Sequence, residues 1–366
     1  MTEEERPTGA RRLTASVVGA GAGGSLSIDA LTALDEYELV AVADLRLDVR
    51  RALEERLRGV RTFEQASEMF AACPTDVVCV STYASTHEEI ALMAMRGPVL
   101  GMLLEKPLSY DVGGARRLLD AVKGRDLPAV VPHGMLTRGT PLAVKARIDA
   151  GDIGRVRVVE IESRNWDLIN AGIHWLHFTL TVLADERVTD VLAAADTSTH
   201  TYRDGMQVET ESLVQARTDA GTRIFVNSGD HLPTTAPGRA IVLRFIGTGG
   251  VAEFWGWEQG FALITAQGGD QHPATPAEPA LIGHARYLRD LAGMIASGKR
   301  DYRGAERSIA ALEVIEAAYL SAHLGCNVRL PLDAFVPPDS SDWHAGQPYG
   351  GQGGGRDGRR LEEGNR

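Results

Sequence analysis

The stretch VVGAGAGGSLS, residues 17–27, sets three glycines at Gly19, Gly21 and Gly24 directly behind a short apolar run. Spacing alone is weak support, because a chain with 40 glycines matches G-x-G-x-x-G by accident. The surroundings raise its weight. LTASVV reads as a strand leading into the turn, the residues after it are patterned as a helix, and a second apolar run, ELVAVAD, ends in Asp44, the roughly 20-residue spacing at which a carboxylate meets an adenosine ribose. In that context the glycines have separate jobs. One makes a tight turn, one lets backbone N–H groups approach a pyrophosphate, and one lets helix and strand pack closely, with the helix N-terminus facing the negative charge. Asp44 favours NAD, since a carboxylate repels the 2′-phosphate of NADP. Arg46 reads as a solvated residue opening the basic stretch RLDVRRALEERLR, and alternatively as a partner that permits NADP.

Working outward, residues 13 to 132 alternate short Val/Ala/Leu-rich runs with charged, helix-patterned stretches, the rhythm of βαβ units and a parallel sheet. DVVCVST and PVLGMLLE are further strands, LDVRRALEERL and THEEIALMAMRG helices, the latter stopped by Gly97. After residue 133 the rhythm changes. A helix near 140–150 ends at Gly151, and RVRVVEIESR, ESLVQARTD, TRIFVNSG and RAIVLRFIG follow as strands with few helices between them, which predicts an antiparallel sheet. LIGHARYLRDLAGMIASG and AERSIAALEVIEAAYLSAHLG close the fold as helices. The expected organisation is a flexible N-terminus over 1–12, a Rossmann dinucleotide-binding domain over 13–133, an α+β domain over 134–335 and a disordered tail over 340–366.

Composition narrows the partners. The chain has 366 residues, 44% hydrophobic and 24% charged, enough for two domains around a sizeable core. A net charge of -11 argues against nucleic acid and anionic membranes, and no segment is long and apolar enough to span a bilayer, so a small-molecule substrate is expected. Arg11-Arg12 ahead of apolar residues resembles a twin-arginine signal, but that apolar run is short and better used as a strand. Three scattered cysteines, Cys73, Cys79 and Cys326, read as reduced thiols of a cytoplasmic protein.

A second motif, Glu105-Lys106-Pro107, falls at the carboxyl end of a predicted parallel strand, where open α/β sheets keep their ligands. The order GAGAGG, Asp44, VSTYASTH, EKPL, TRGTPLAVKARIDAGDIGRV and NAGIHWLH resembles the Gfo/Idh/MocA oxidoreductases over about residues 13 to 332. The resemblance implies a Rossmann domain followed by a domain with a large, mostly antiparallel open sheet that often makes the contact of a homo-oligomer, a dimer or tetramer. It also implies NAD(P)-dependent chemistry on a secondary alcohol or ketone of a sugar, cyclitol or sugar nucleotide. Carried over by position, Lys106 is the catalytic lysine and His174 the histidine of an Asp-x-x-x-His element. Gly19, Gly21, Gly24, Asp44, Arg46, Ser81, Thr82, His87, Glu105, Lys106 and Pro107 surround the cofactor, and Arg138, Trp166 and His177 face the substrate.

The chain departs from the family pattern where it has Tyr83 for Pro, Asn170 for the Asp before the histidine, and His177 for a second Asp. On a helix, residues 170, 174 and 177 share one face. Asn170 is therefore expected to orient His174 without charging it, leaving His174 neutral and Lys106 the principal acid. A metal site built from His133, His174 and His177 is not expected, since no acidic or cysteine ligand accompanies them. The alternatives are an NAD-assisted hydrolase, lyase or epimerase without net redox, and a silent dinucleotide-binding sensor.

Overall fold

A computed structural model describes residues 11–196, 201–266 and 268–337. The expected tail over 340–366 and nearly all of the N-terminus over 1–12 lie outside those residues. The first half builds a six-stranded, all-parallel sheet from β1 (Leu13–Val18), β2 (Tyr37–Ala43), β3 (Arg61–Phe63), β4 (Val77–Val80), β5 (Gly101–Leu104) and β6 (Ala129–Val130), in the order β3-β2-β1-β4-β5-β6. Helices α1 (Ala22–Ala33), α2 (Leu47–Arg56), α3 (Ala66–Ala72), α4 (His87–Ala94) and α5 (Val112–Gly124) connect them. Every residue of β4 and β5 is buried, which explains runs without polar alternation. The strand order reverses between β1 and β4, so the loops after these two strands diverge and open a crevice at their carboxyl ends.

The second half carries α6 (Gly139–Asp149), β7 (Val156–Arg164), α7 (Ile173–Val182), β8 (Val188–Asp196), and a hairpin of β9 (Thr201–Arg203) and β10 (Met206–Val208). It continues with β11 (Glu211–Thr218), β12 (Arg223–Gly229), β13 (Ile241–Gly247), β14 (Gly250–Phe254), β15 (Phe261–Thr265) and β16 (Gly269–Gln271), then α8 (Gly283–Ser297), α9 (Arg303–Leu324) and β17 (Val328–Arg329). Nine strands pair in the order β16-β15-β14-β13-β7-β12-β11-β8-β17. All pairs are antiparallel except β12 with β7. In β11 buried and exposed residues alternate strictly; the buried face of the sheet meets α9 at β8 and α7 through Phe178 against Phe245 and Phe254, and the other face is open, with Leu192 and Leu213 exposed on it.

Helix α8, grouped by sequence with the second region, packs on the first. Leu288 and Leu291 are fully buried among Ala15, Val17, Ile28, Leu31 and Leu103, and the Tyr37 hydroxyl donates to the Leu288 carbonyl at 2.6 Å. The chain thus returns to complete the first layer, and by this return α8 comes to the crevice. Among the described residues no helix is long and apolar enough to cross a membrane.

Candidate functional site

The crevice opens into a cleft of about 1570 Å³, larger than the 300–1,000 Å³ or so that one small ligand occupies. The glycine turn forms one end. Gly19 has φ +84°, and a Cβ there would stand 2.5 Å from the Ser81 carbonyl oxygen; one on Gly24 would stand 1.9 Å from the Gly19 oxygen. Both glycines are required by the protein's own packing. Gly21 differs, because a Cβ there meets nothing within 4 Å and the residue lines the cleft, leaving open space where a ligand approaches. Gly21 stands at the N-cap of α1 and offers no side-chain cap, so the helix's first N–H groups are open to an anion. This arrangement fits a dinucleotide pyrophosphate.

At the end of β2 the Asp44 carboxylate accepts the Ala20 N–H at 2.8 Å and, from Arg46, both the backbone N–H at 2.9 Å and Nε at 3.1 Å. Burial opposes its charge, and the hydrogen bonds of Arg46 and Ala20 outweigh burial, holding the carboxyl below its usual range. Ser81 and Thr82 line the cleft at the end of β4. His87 does not. It is buried, with Nδ1 2.9 Å from the Pro107 carbonyl and Nε2 2.9 Å from the Thr82 carbonyl, so it ties two cleft loops from behind rather than touching a cofactor.

Lys106 extends from the end of β5 and donates through Nζ to the Asn170 carbonyl at 2.8 Å. Glu105, Pro107, Arg138, Asn170 and His174 line the same cleft. Glu105 accepts the Lys106 N–H at 3.2 Å and pairs with His284 Nε2 at 2.5 Å. Burial raises the Glu105 pKa, but His284 and Lys106 outweigh it and hold the carboxyl low. His284 had no signal in the sequence that set it apart, since it reaches the cleft only because α8 folds back. Trp257 and the hairpin residues Asp204 and Met206 also line the cleft unannounced, although Asp204-Gly205, both at positive φ, is the residue pair that a tight hairpin turn selects.

The histidine face is arranged differently from expectation. Residues 168–172 form a π-helical turn, and Asn170 directs its amide Nδ2 to the Asp167 carboxylate at 3.1 and 3.2 Å, not to His174. A carboxylate therefore does stand beside this turn, three residues earlier than the family pattern has it. His174 faces the cleft edge-on to Trp257, with centroids 5.4 Å apart, and its buried Nδ1 has no partner. Burial first, then the Lys106 charge, push its pKa well down. The shift runs in the expected direction, with burial rather than a lost aspartate as its first cause.

His177 does not reach the cleft. It is 2% exposed, lies flat on His133 at 3.8 Å between centroids and points Nε2 to the Gly304 carbonyl at 3.3 Å. Trp166 is 45% exposed and outside the cleft wall, and its carbonyl accepts the Ser228 hydroxyl at 2.7 Å. Neither residue is positioned to touch a substrate in this cleft. Among the described residues no group of histidine, cysteine and carboxylate side chains is arranged to hold a metal.

A parallel sheet with its ligand crevice at a glycine turn, faced by the turn at 168–172, His174, the β9–β10 hairpin, Trp257 and the start of α8, defines a Rossmann-type nucleotide-binding protein. Residues 13–133 match the Gfo/Idh/MocA family model, described as "Oxidoreductase family, NAD-binding Rossmann fold". The chain is similar to the myo-inositol 2-dehydrogenase of Thermotoga maritima, 25% identical over 149 residues, 41% of this chain and 44% of the relative. It is also similar to the inositol 2-dehydrogenase of Azotobacter vinelandii, 30% identical over 159 residues, 42% and 46% of the two chains. The matched part thus spans less than half the length of either relative. An oxidoreductase from Agrobacterium radiobacter, solved with NAD+, L-tartaric acid and magnesium, shares the fold at a TM-score of 0.73 and 17% identity, over 87% of this chain and 98% of that one.

Proposed function

We propose that the chain is an NAD-dependent oxidoreductase, with some capacity for NADP. It would act on a secondary alcohol or ketone carbon of a cyclitol, sugar, sugar nucleotide or similar polar metabolite. The observation that carries this reading is the convergence of a glycine turn fit for a pyrophosphate and the Lys106 amine, held 2.8 Å from the Asn170 carbonyl, in one cleft. The inositol dehydrogenase relatives support the substrate class.

When bound, the nicotinamide ring takes or supplies the hydride. The residues of the chain do the rest. The turn at Gly19–Gly24 and the start of α1 hold the pyrophosphate, Asp44 and Arg46 the adenosine ribose, and Ser81, Thr82, Glu105 and Pro107 wall the cofactor's reacting end. Lys106 gives a proton to the substrate oxygen in reduction and takes the hydroxyl proton in oxidation; as an ammonium it also stabilises charge developing on that oxygen. His174, neutral, hydrogen-bonds a substrate hydroxyl without competing for the charge. Arg138 and Trp257 form the outer substrate wall, the guanidinium carbon lying over the indole ring at 6.0 Å from its centroid.

The protein is further proposed to be cytoplasmic, in keeping with three unpaired cysteines, and to form a homo-oligomer through the open sheet face bearing Leu192 and Leu213. The test is mass spectrometry of ligands released from the purified protein, followed by NADH absorbance with a panel of cyclitols, sugars and sugar nucleotides. Turnover of a polyol with NAD supports the reading. Retained NAD without net absorbance change on turnover would favour non-redox chemistry, and tight NAD binding without any turnover would favour a sensor.

A further inference from the structure

The Lys106 amine is held by a backbone carbonyl, and what fixes that carbonyl lies in side chains with no assigned role. Asp167 is 1% exposed and grips residue 170 twice, accepting its backbone N–H at 2.7 Å and its amide Nδ2 at 3.1 Å. A buried carboxylate needs a cationic partner, and Arg203 supplies one, with Nη1 3.3 Å from Asp167 and its other arm on Asp230. The next residue of the turn is tied as well: the Leu168 N–H donates to Glu209 at 2.8 Å. Arg203 ends β9 and Glu209 directly follows β10, so the hairpin brackets the turn from both strands. The tip of that hairpin, Asp204, forms part of the cleft wall.

We propose that Asp167 and Arg203 are positioning residues for Lys106, acting through the Asn170 carbonyl and making the lysine and the hairpin wall of the substrate cleft one mechanical unit. The inference rests on the reading of Lys106 as the acid of the reaction. A lysine has four rotatable carbons, and a free amine samples many positions; one carbonyl at a fixed place selects the position from which the proton is transferred. A displacement of about 1 Å at such a site costs up to about 10²-fold in rate. Substrate contact at the hairpin tip then bears on the lysine through Arg203, Asp167 and Asn170.

The experiment compares Lys106→Met, Asp167→Ala, Arg203→Met and Arg203→Lys on the same substrate, measuring kcat, KM, the NAD dissociation constant and the melting temperature. Asp167→Ala and Arg203→Met are expected to lower kcat about tenfold or more, with KM and NAD affinity changed much less. Arg203→Lys, which keeps the charge beside Asp167, is expected to recover most of the loss. Normal kcat in folded Asp167→Ala and Arg203→Met, with Lys106→Met inactive, overturns the positioning role and leaves the function intact. Near-normal turnover in Lys106→Met removes the function reading itself. Should Asp167→Ala not fold, Asp167→Asn decides: it keeps an oxygen for the Asn170 N–H and loses the ion pair, so a kcat equal to wild type contradicts the proposal and a lowered one supports it.

Discussion

Asp44 and Asn170 put the residue-scale account at risk in opposite ways. Asp44 already spends its oxygens on Ala20 and Arg46, so the ribose end of the cleft presents a neutralised pair rather than a bare carboxylate. Removing Arg46 uncovers the charge. Arg46→Ala is therefore expected to weaken NADP about tenfold more than NAD, some 1.4 kcal/mol, and Asp44→Ala to do the reverse, both read as dissociation constants by calorimetry; equal losses for the two dinucleotides would contradict the assignment. At Asn170, an aspartate would sit against buried Asp167 with no amide hydrogens to give it. The raised carboxyl pKa of such a pair stabilises the fold at low pH and withdraws that support as pH rises through it. The stability lost by Asn170→Asp relative to wild type is accordingly expected to be larger near pH 8 than near pH 5, by about a few kcal/mol, read from denaturant unfolding of both proteins at the two pH values; an equal loss at both would contradict it. The sequence pointed to residue 170 but not to its partner. Helical spacing pairs 170 with 174, whereas one extra residue in the turn moves the amide to 167, and no local pattern announces a π-turn.

At the scale of elements, the glycine turn separates fold from ligand. Gly24→Ala places a Cβ 1.9 Å from a backbone oxygen and is expected to cost several kcal/mol or prevent folding. Gly21→Ala meets nothing within 4 Å, so its melting temperature should match the wild type while NAD affinity falls; unchanged NAD affinity would show that the pyrophosphate lies elsewhere. Long elements with a clear period, such as β7, β11, β12, α8 and α9, were legible from residue pattern. The strands β3 and β6, three and two residues long, were not, because a period needs more residues than they have. The hairpin at 201–208 was missed for the same reason, though its Asp-Gly pair was a usable signal. His87 and His177 were assigned to the site from position along the chain, and burial sends both inward. His284 carries no mark in the sequence, and the return of α8 brings it to Glu105.

Across the whole molecule, His133 from the end of the parallel sheet stacks on His177 of α7, and its Nε2 lies 2.8 Å from the Ser308 hydroxyl of α9, so the two halves meet at neutral imidazoles. Burial, little relieved by the Gly304 carbonyl, lowers the His177 pKa from 6.5 to about 4. A histidine depressed in the folded state lends its full stability above the unfolded pKa and loses it as pH falls from about 6.5 towards 4. The expected loss is on the order of 3 kcal/mol, seen as a falling melting temperature over that window and flattened in His177→Phe; an equal slope in the variant would contradict it. The two halves also meet at Lys106, which leaves the parallel sheet and ends on the Asn170 carbonyl of the second half, and on that contact the proposed function rests. The most direct test is the turnover number for NADH formation from a cyclitol or sugar substrate by wild type and Lys106→Met, with NAD binding measured on both. Lys106→Met is expected to lose about 10² or more in kcat with NAD affinity nearly unchanged; a variant that turns over like the wild type would remove Lys106 from the chemistry.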